Sequence, residues 1–275
     1  MSDLAGDVRT VSKADTRDGS SPLRSLSQLA RPLLGLLGLG GIVFAWWALI
    51  FLFAEPGGLG ERFAPSAAFA SFATLLTGSD LILHIAVSLR RILVGLGLAL
   101  LVGLPLGLLV GLSRTFDATV SPAFQFLRMI SPLSWMPIAV MVFGVGDFPI
   151  YFLLAFAAVW PILLNTAAGV RNLDPAWLQL SRSLAATRWE TLVHVVLPGV
   201  FGHVLTGVRL AIGILWIVLV PCEMLGVSAG LGYFILDTRD RLAYSELMAM
   251  VLVIGILGFL LDWVARALHR RWTVV

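Results

Sequence analysis

QLSRSLAATRWETLVHVVLP, which spans residues 179–198, is a polar, arginine-bearing stretch between long apolar segments of the chain. Its composition favours helical structure over an extended linker. A membrane protein that holds a structured polar hairpin on one face commonly uses it to bind another molecule. We therefore interpret this stretch as a docking element and assign the rest of the chain around it.

The composition of the chain is that of a polytopic membrane protein. Its 275 residues are 59% hydrophobic and only 13% charged, whereas soluble domains carry about 25% charged residues. Apolar runs of about 20 residues recur, which is the length that a helix needs to cross a bilayer core about 30 Å thick. Because lipid offers no hydrogen bonds to the backbone, we predict an all-α fold built from transmembrane helices.

We predict six spans, which fall at about 33–54, 84–112, 118–143, 149–170, 203–225 and 246–266. A polar tail, 1–31, precedes a transmembrane domain that takes up 32–275. The docking stretch lies in the connection 171–202, and residues 65–77 favour a short interfacial helix. The first apolar run is too long, and too far from the start, for a typical cleaved signal peptide.

The distribution of arginine predicts which side of the membrane each loop occupies. Six spans return the chain to its starting side, so both termini share one face. The termini and loops of that face contain Arg24, Arg31, Arg114, Arg171, Arg182, Arg188, Arg266, Arg270 and Arg271. The opposite loops contain fewer arginines, so the arginine-rich side is predicted to be cytoplasmic. The docking stretch is then cytoplasmic as well.

Two apolar spans carry irregular features. In the third span, RMISPLSWMP at 128–137 places two prolines and two serines where a helix would otherwise continue. Broken helix inside a membrane is tolerated where it is buried in protein or lines a cavity, so this span is a candidate pathway element. In the second span, Gly103, Gly107 and Gly111 recur every four residues, which favours close helix packing.

The sequence lacks several motifs for chemistry. Its single lysine, Lys13, excludes a GxxxxGK[ST] phosphate loop, and HExxH is absent. Neither cysteine nor histidine occurs at metal-ligand spacing. We expect no catalytic, cofactor or metal site and no nucleic-acid binding, so uphill transport would need energy from a partner or an ion gradient.

Three patches of the second half resemble permease subunits of bacterial ATP-binding-cassette (ABC) importers, and more narrowly the nitrate, taurine and alkanesulfonate importer family. LRMISPLSWMPIAVMVFGVGD, at 127–147, resembles the proline-rich third span of that family. SRSLAATRWETLVHVVLPGVFGHVLTGVRLAIG, at 181–213, resembles its cytoplasmic coupling loop, the EAA loop. VPCEMLG at 220–226 and GLGYFI at 230–235 resemble the end of the fifth span and the following loop. The likeness covers roughly 84–270 and implies a type I ABC importer permease fold.

The resemblance implies that the docking stretch couples the permease to an ATPase. The family's loop begins Glu-Ala-Ala and has a glycine after Ser-Leu, where this chain has Gln179, Leu180, Ser181 and Ala185. The positions that match the family are Arg182, Ser183, Leu184, Ala186, Arg188, Leu197 and Pro198. Alanine in place of glycine predicts an ordinary helical or extended backbone at that turn.

We expect the coupling element to be a short helix at about 176–186 that inserts into a groove of the ATPase. Leu180 and Leu184 are four residues apart and share one helical face, so they are the predicted apolar anchors. Arg182 and Arg188 would lie at the rim of that contact.

The resemblance also implies an assembly in the bacterial inner membrane. Its members are a second permease subunit, identical or different, two cytoplasmic ATPase subunits and an extracytoplasmic substrate-binding protein, all around a lipid-embedded permease pair. ATP and Mg would be bound by the ATPase, and no cofactor by this chain. The favoured solute is a small anion such as a sulfonate, taurine or nitrate.

Polar and ionisable residues within spans are candidates for the translocation path, because they are costly in lipid. Arg128 in a cavity would attract an oxyanion; snorkelling and pairing with Glu223 are its alternative roles. The remaining candidates are Ser134, Trp135, Trp160, Asn165, Trp216 and Glu223. For the tryptophans, core packing is the alternative.

Two other functions remain open from the residues. An ion-gradient-driven secondary transporter would need an ionisable relay near the midplane, and such residues are sparse here. A membrane enzyme would need a recognisable catalytic constellation within the spans. Association with an ATPase subunit separates the importer from both.

Overall fold

The computed structural model describes residues 22–53, Glu55 and 58–272, and the regular elements in this part of the chain are all helical. The predicted all-α fold is confirmed. The helices are α1 (Pro22–Phe53), α2 (Pro65–Thr77), α3 (Ser79–Leu112), α4 (Arg114–Met129), α5 (Met136–Phe143), α6 (Asp147–Arg171), α7 (Pro175–Ser183), α8 (Arg188–Thr191), α9 (Leu197–Glu223), α10 (Leu231–Asp240) and α11 (Tyr244–Trp272). Residues 1–21 of the predicted tail lie outside the described residues.

Helix α1 belongs to a unit of its own, Met1–Ala54, and Glu55–Val275 form the second unit. It begins at Pro22, ahead of the predicted span at 33–54, and proline is favoured in the first turn of a helix. Its apolar portion, Leu37–Phe53, is shorter than the other candidate spans. That it crosses the membrane therefore stays a prediction.

Four helices of the second unit are long and apolar enough to cross a membrane: Leu81–Leu112, Asp147–Arg171, Arg188–Glu223 and Tyr244–Ala267. Helix α4 and the segment Pro132–Phe143 meet at an angle of 87° and form a broken span or a re-entrant loop, which makes a fifth candidate when the pair is counted as one span. The predicted interruption at 128–137 is thus confirmed. A 3-10 turn, Pro132–Trp135, separates α4 from α5. Pro132 begins this turn and Pro137 lies in the first turn of α5, and neither has the backbone N–H group that would continue the hydrogen bonding of α4.

The helix that contains the predicted fifth span, at about 203–225, begins before residue 203. Helix α9 begins at Leu197, and a π-helical segment, Leu192–Val196, joins it to α8 without a break. Pro198 does not interrupt this helix, because it lies in the first turn of α9. The short helix predicted at 65–77 is α2.

Glycines let α3, α6 and α9 pack closely at the centre of the unit. A Cβ atom on Gly107 would lie 2.6 Å from the carbonyl oxygen of Leu163, and one on Gly111 would lie 2.5 Å from Cβ of Val170. The predicted packing role of the glycine repeat is confirmed. Because Gly95 faces Leu154 at the other end of the same contact, α3 and α6 run parallel.

Helix α9 lies antiparallel to α6 and completes the hydrophobic core. Gly207 of α9 faces the backbone of Pro161, whereas Gly169 of α6 faces Val200 near the start of α9. Buried apolar side chains of α6 and α9 fill the space between the three helices, among them Leu153, Leu154, Ile162, Leu215 and Leu219. Helix α6 runs from one end of this unit to the other. We call the end at which α6 begins the Asp147 end, and the end at which α6 finishes and α7 follows the α7 end.

Candidate functional site

The docking stretch begins with a capped helix at the α7 end. Pro175 occupies the first turn of α7, and the carboxylate of Asp174 accepts a hydrogen bond of 2.8 Å from the amide of Ala176. The helix ends at Ser183, three residues before the predicted end at about 186. Leu184 therefore lies at the cap and not within a further helical turn.

The backbone at Ala185 contradicts the predicted ordinary conformation, because its φ is +53°. The amide of Ala185 donates to the carbonyl of Arg182, and the amide of Ala186 donates to the carbonyl of Ser181, both over 3.0 Å. These two bonds form a Schellman motif, which requires a left-handed residue after the cap and favours glycine there. The motif satisfies the last helical carbonyls even though alanine adopts that conformation at a cost.

The chain then turns into α8 through a second cap. The hydroxyl of Thr187 accepts a hydrogen bond of 3.2 Å from the amide of Glu190, whose carboxylate accepts one of 2.7 Å from the amide of Thr187. This reciprocal capping box fixes the start of α8. Ser181 is buried, and the hydroxyl of Thr191 donates to its oxygen over 3.5 Å, which joins α7 to α8.

An exposed apolar groove opens between α7 and the α8–α9 segment. Its volume is about 630 Å³, and its lining includes Ala176, Trp177, Leu180, Ser181, Leu184, Ala186, Glu190, Thr191, His194 and Val195. The two predicted anchors both lie in it, with Leu180 62% and Leu184 74% exposed. Trp177, 58% exposed, is the largest apolar side chain of the groove.

Sequence reasoning missed Trp177, although it precedes Leu180 by three residues and so shares its helical face. Ala186, another predicted coupling residue, also lines the groove, and the other predicted coupling residues lie outside its lining. Those on the exposed surface are Gln179, Arg182, Ser183, Ala185, Arg188 and Pro198. Leu197 instead packs into the apolar cluster around Val200, where it supports the start of α9.

Two partly open cavities lie beside α6, and they share Arg128, which is exposed, Trp160 and Leu164. The first, of about 390 Å³, is also lined by Asn165, Leu210, Ile214 and Val218. The second, of about 270 Å³, reaches Arg171 and Asn172 at the end of α6. The structure thus brings together three of the predicted path residues, Arg128, Trp160 and Asn165.

The other predicted path residues occupy separate places. Ser134 is exposed in the 3-10 turn after α4, and the ring of Trp135 packs against Phe156 with centroids 5.7 Å apart. Trp216 packs between the core of α6 and α9 and a second apolar cluster. A Cβ atom on Gly258 of α11 would lie 2.5 Å from the indole nitrogen of Trp216, so this ring fills a helix contact.

Glu223 lies fully buried near the Asp147 end and does not pair with Arg128. Its carboxylate is 2.8 Å from Nη1 of Arg91, which is 3% exposed. Arg128 instead donates to Oε1 of Gln125 over 3.2 Å. The alternative of an Arg128–Glu223 ion pair is wrong, because the two side chains belong to different parts of the bundle.

Sequence reasoning also missed the polar network around Glu223. Ser88 donates to both carboxylate oxygens, and the amide of Gly232 donates to Oε2 over 3.0 Å. Arg91 reaches further, to Asp147 over 2.5 Å and to the carbonyl of Ala229 over 2.6 Å. The network therefore joins the Asp147 ends of α3, α6 and α9 to the loop that follows α9.

That loop carries the sequence GVSAG at 226–230, which matches the Gly-x-Ser-x-Gly pattern of a nucleophile elbow. An elbow requires a strand-to-helix turn that presents the serine. Here the segment joins the end of α9 to the start of α10. The pattern therefore does not indicate a hydrolase.

Comparison with known proteins identifies the family. Residues 103–274 match the family model of the binding-protein-dependent transport system inner membrane component. The chain is 39% identical over 190 residues to the bicarbonate transport system permease protein of Synechococcus elongatus, covering 67% of this chain and 68% of the relative. It is 35% identical over 190 residues to the taurine transport system permease protein of Escherichia coli, covering 69% of each.

Further similarity extends to a nitrate import permease and to solved structures. The nitrate import permease protein of Leptolyngbya laminosa is 35% identical over 186 residues, covering 68% of this chain and 67% of the relative. The fold matches a bacterial ABC transporter that imports alginate, with TM-score 0.57, 19% identity and coverage of 90% and 99%. It also matches the MetNI methionine ABC transporter, with TM-score 0.59, 16% identity and coverage of 70% and 96%. The chain belongs to the family of binding-protein-dependent transport system inner membrane components and is the permease subunit of an ABC importer.

Proposed function

We propose that this permease imports a small anion and that the groove between α7 and α8 is the site at which an ATPase drives it. The exposed apolar groove is the observation that carries the coupling proposal. Trp177, Leu180 and Leu184 present large apolar side chains to the surroundings from an otherwise polar segment. Apolar surface concentrated in this way marks a binding site for another protein.

The segment is built to transmit a movement of its partner. The capping box, the Schellman motif and the Ser181–Thr191 contact hold α7 and α8 as one unit. The π-helical segment joins this unit to α9, which packs on α6 in the core. A pull on the groove by closing ATPase subunits would therefore move α9 relative to its neighbours. Short π-helical segments occur often at functional positions in helices.

The assembly that we propose contains a second permease subunit, two cytoplasmic ATPase subunits and an extracytoplasmic binding protein. ATP and Mg bind to the ATPase and not to this chain. The α7 end and both termini face the cytoplasm of a bacterial cell, which agrees with the arginine-rich loops on that side. The Asp147 end then faces the binding protein.

The proposed substrate class rests on the relatives and on one charge. Bicarbonate, nitrate and taurine, which the names of the relatives give as their solutes, share an anionic oxygen group. Arg128 supplies a cation beside a cavity of the bundle. A guanidinium group recognises planar oxyanions through paired hydrogen bonds.

Purification of the tagged permease in mild detergent tests the coupling proposal. We expect an ATP-hydrolysing subunit to co-purify with the wild-type chain and to be lost from the Leu184→Asp variant, because a carboxylate cannot be desolvated in an apolar contact. Leu242→Asp is the matched control, since Leu242 is similarly exposed but lies between α10 and α11. Retention of the ATPase by Leu184→Asp would refute the groove as the coupling site.

Reconstitution of the purified complex in liposomes tests the substrate class. Nitrate, bicarbonate, taurine and methanesulfonate are supplied with the binding protein, and ATP-dependent uptake of each is measured. We expect uptake of at least one anion and none without ATP. Uptake driven by an ion gradient without the ATPase would instead support a secondary transporter.

A further inference from the structure

We infer that Arg128 and Trp160 form an anion-binding site where the two cavities beside α6 meet, and that the substrate passes this site on its way from one cavity to the other. The inference rests on the proposed anion transport and assigns residues to it. Arg128 and Trp160 each line both cavities, so any solute that passes between the cavities meets these two side chains.

The two cavities differ in their surroundings. The one of about 390 Å³ is lined mainly by apolar side chains, among them Leu210, Ile214 and Val218 of α9. The one of about 270 Å³ lies nearer the α7 end and combines apolar side chains with more polar ones, including Asp117, Ser121, Gln125 and Asn172. A solute that moves from the first to the second therefore meets more polar side chains. A fixed charge that lines both cavities attracts an anion most strongly where the anion lies close to it and water is displaced.

Arg128 carries a positive charge that the described residues do not neutralise. Within the described part of the chain, Arg128 takes part in no ion pair, and its guanidinium donates a hydrogen bond to the neutral amide of Gln125. Arg171, which lines the same second cavity, is 2.6 Å from Asp117 and is therefore compensated. The cation that remains available to an anion in this cavity is Arg128.

Trp160 supplies a hydrogen-bond donor without a partner. Its indole nitrogen is buried and forms no hydrogen bond within the described residues. Buried donors are nearly always paired, and an unpaired one costs free energy, so such a group calls for an explanation. An anion held by Arg128 would supply the missing acceptor. The ring is fixed by edge contacts with Phe156 at 5.6 Å and Phe124 at 5.8 Å.

Substitution of single tryptophans tests the donor. Trp160→Phe keeps the ring and removes the N–H group, and we expect ATP-dependent uptake by the reconstituted complex to fall about tenfold, which is the size of one hydrogen bond to a charged group. Trp135→Phe is the matched control, because the indole nitrogen of Trp135 is also buried and unpartnered in the described residues, yet Trp135 lines neither cavity. We expect this control to differ from wild type by less than about twofold.

Chemical rescue tests the charge at position 128. The wild-type chain has one cysteine, Cys222, and it is fully buried, so a cysteine placed at position 128 can be modified selectively within this subunit. We expect Arg128→Cys to lose most uptake. Treatment with 2-aminoethyl methanethiosulfonate, which adds an ammonium group through a mixed disulfide, should restore it several-fold. The anionic 2-sulfonatoethyl reagent should restore none.

Arg114→Cys is the control for modification, because Arg114 lies on the same helix but lines neither cavity. The site would be overturned by equal uptake in Trp160→Phe and Trp135→Phe, together with a rescue of Arg128→Cys that does not depend on the charge of the reagent. In that case anion uptake by the wild-type complex would still support the proposed function. If the wild-type complex transports none of the four anions, the substrate proposal and the site fall together. An Arg128→Cys chain that fails to fold would show no rescue, and the tryptophan pair then decides.

Discussion

Nη1 of Arg91 lies 2.8 Å from Oε1 of Glu223, and both side chains are buried, although 132 positions separate them in the sequence. The pair fastens α3 to the end of α9. Ser88 and the amide of Gly232 donate to the same carboxylate, so its oxygens are well supplied with hydrogen bonds. A buried charge of this kind is tolerated only when it is paired and hydrogen-bonded.

Removal of the Glu223 carboxylate should destabilise the permease strongly. Glu223→Ala removes one of the two carboxylates that pair with the buried Arg91 and opens a cavity, so we expect a loss of about 3 kcal/mol in the free energy of unfolding. The measurement is the apparent melting temperature of the detergent-purified subunit. Asp262→Ala is the control, because its partner Arg266 is half exposed and such pairs contribute about 1 kcal/mol or less. A similar change for both variants would contradict the structural role of the cluster.

Glycine at position 185 should stabilise the docking stretch. Ala185 has φ +53°, where an L side chain is strained and glycine is not. Ala185→Gly should therefore raise the stability by about 1 kcal/mol, or the apparent melting temperature by a few degrees. Ala186→Gly, at a neighbouring position that has no positive φ, should lower both. A decrease for Ala185→Gly would show that the left-handed turn is not formed.

Alanine at Gly107 should disrupt the contact of α3 with α6. The added Cβ would lie 2.6 Å from a backbone oxygen that cannot move without displacing α6. We expect a loss of about 1–3 kcal/mol, which is typical of overpacking, and reduced recovery of folded protein by size-exclusion chromatography. Gly97→Ala in the same helix meets nothing within 4 Å and should be neutral or slightly stabilising. Normal recovery of Gly107→Ala would contradict the parallel packing register.

Truncation of Trp177 should weaken ATPase binding without unfolding the permease. A buried interface tryptophan commonly contributes about 2 kcal/mol or more, so Trp177→Ala should raise the dissociation constant for the ATPase about thirtyfold. Titration of the purified ATPase subunit onto the permease in nanodiscs measures this constant. Trp189→Ala is the control, since Trp189 is 71% exposed and does not line the groove. Equal losses for the two variants would place the contact outside the groove.

The sequence predicted those features that depend on near neighbours in the chain. Hydropathy located the spans from α3 to α11, and prolines located the break between α4 and α5. The glycine repeat predicted the close packing of α3, because a residue without a side chain has few other uses at regular spacing in a membrane helix. Helix α9 extends ahead of the predicted span at about 203–225, because Pro198 lies in its first turn, where proline is tolerated.

The residues and motifs by themselves determined the helical membrane fold, the family and the position of the docking stretch, since lipid burial and helix periodicity are properties of short segments. Only the tertiary structure decided that Glu223 pairs with Arg91 and not Arg128, and that Arg128 and Trp160 share two cavities. It also decided that Ala185 is left-handed. Contacts between distant segments depend on the register in which whole helices pack, and the local sequence does not encode that register.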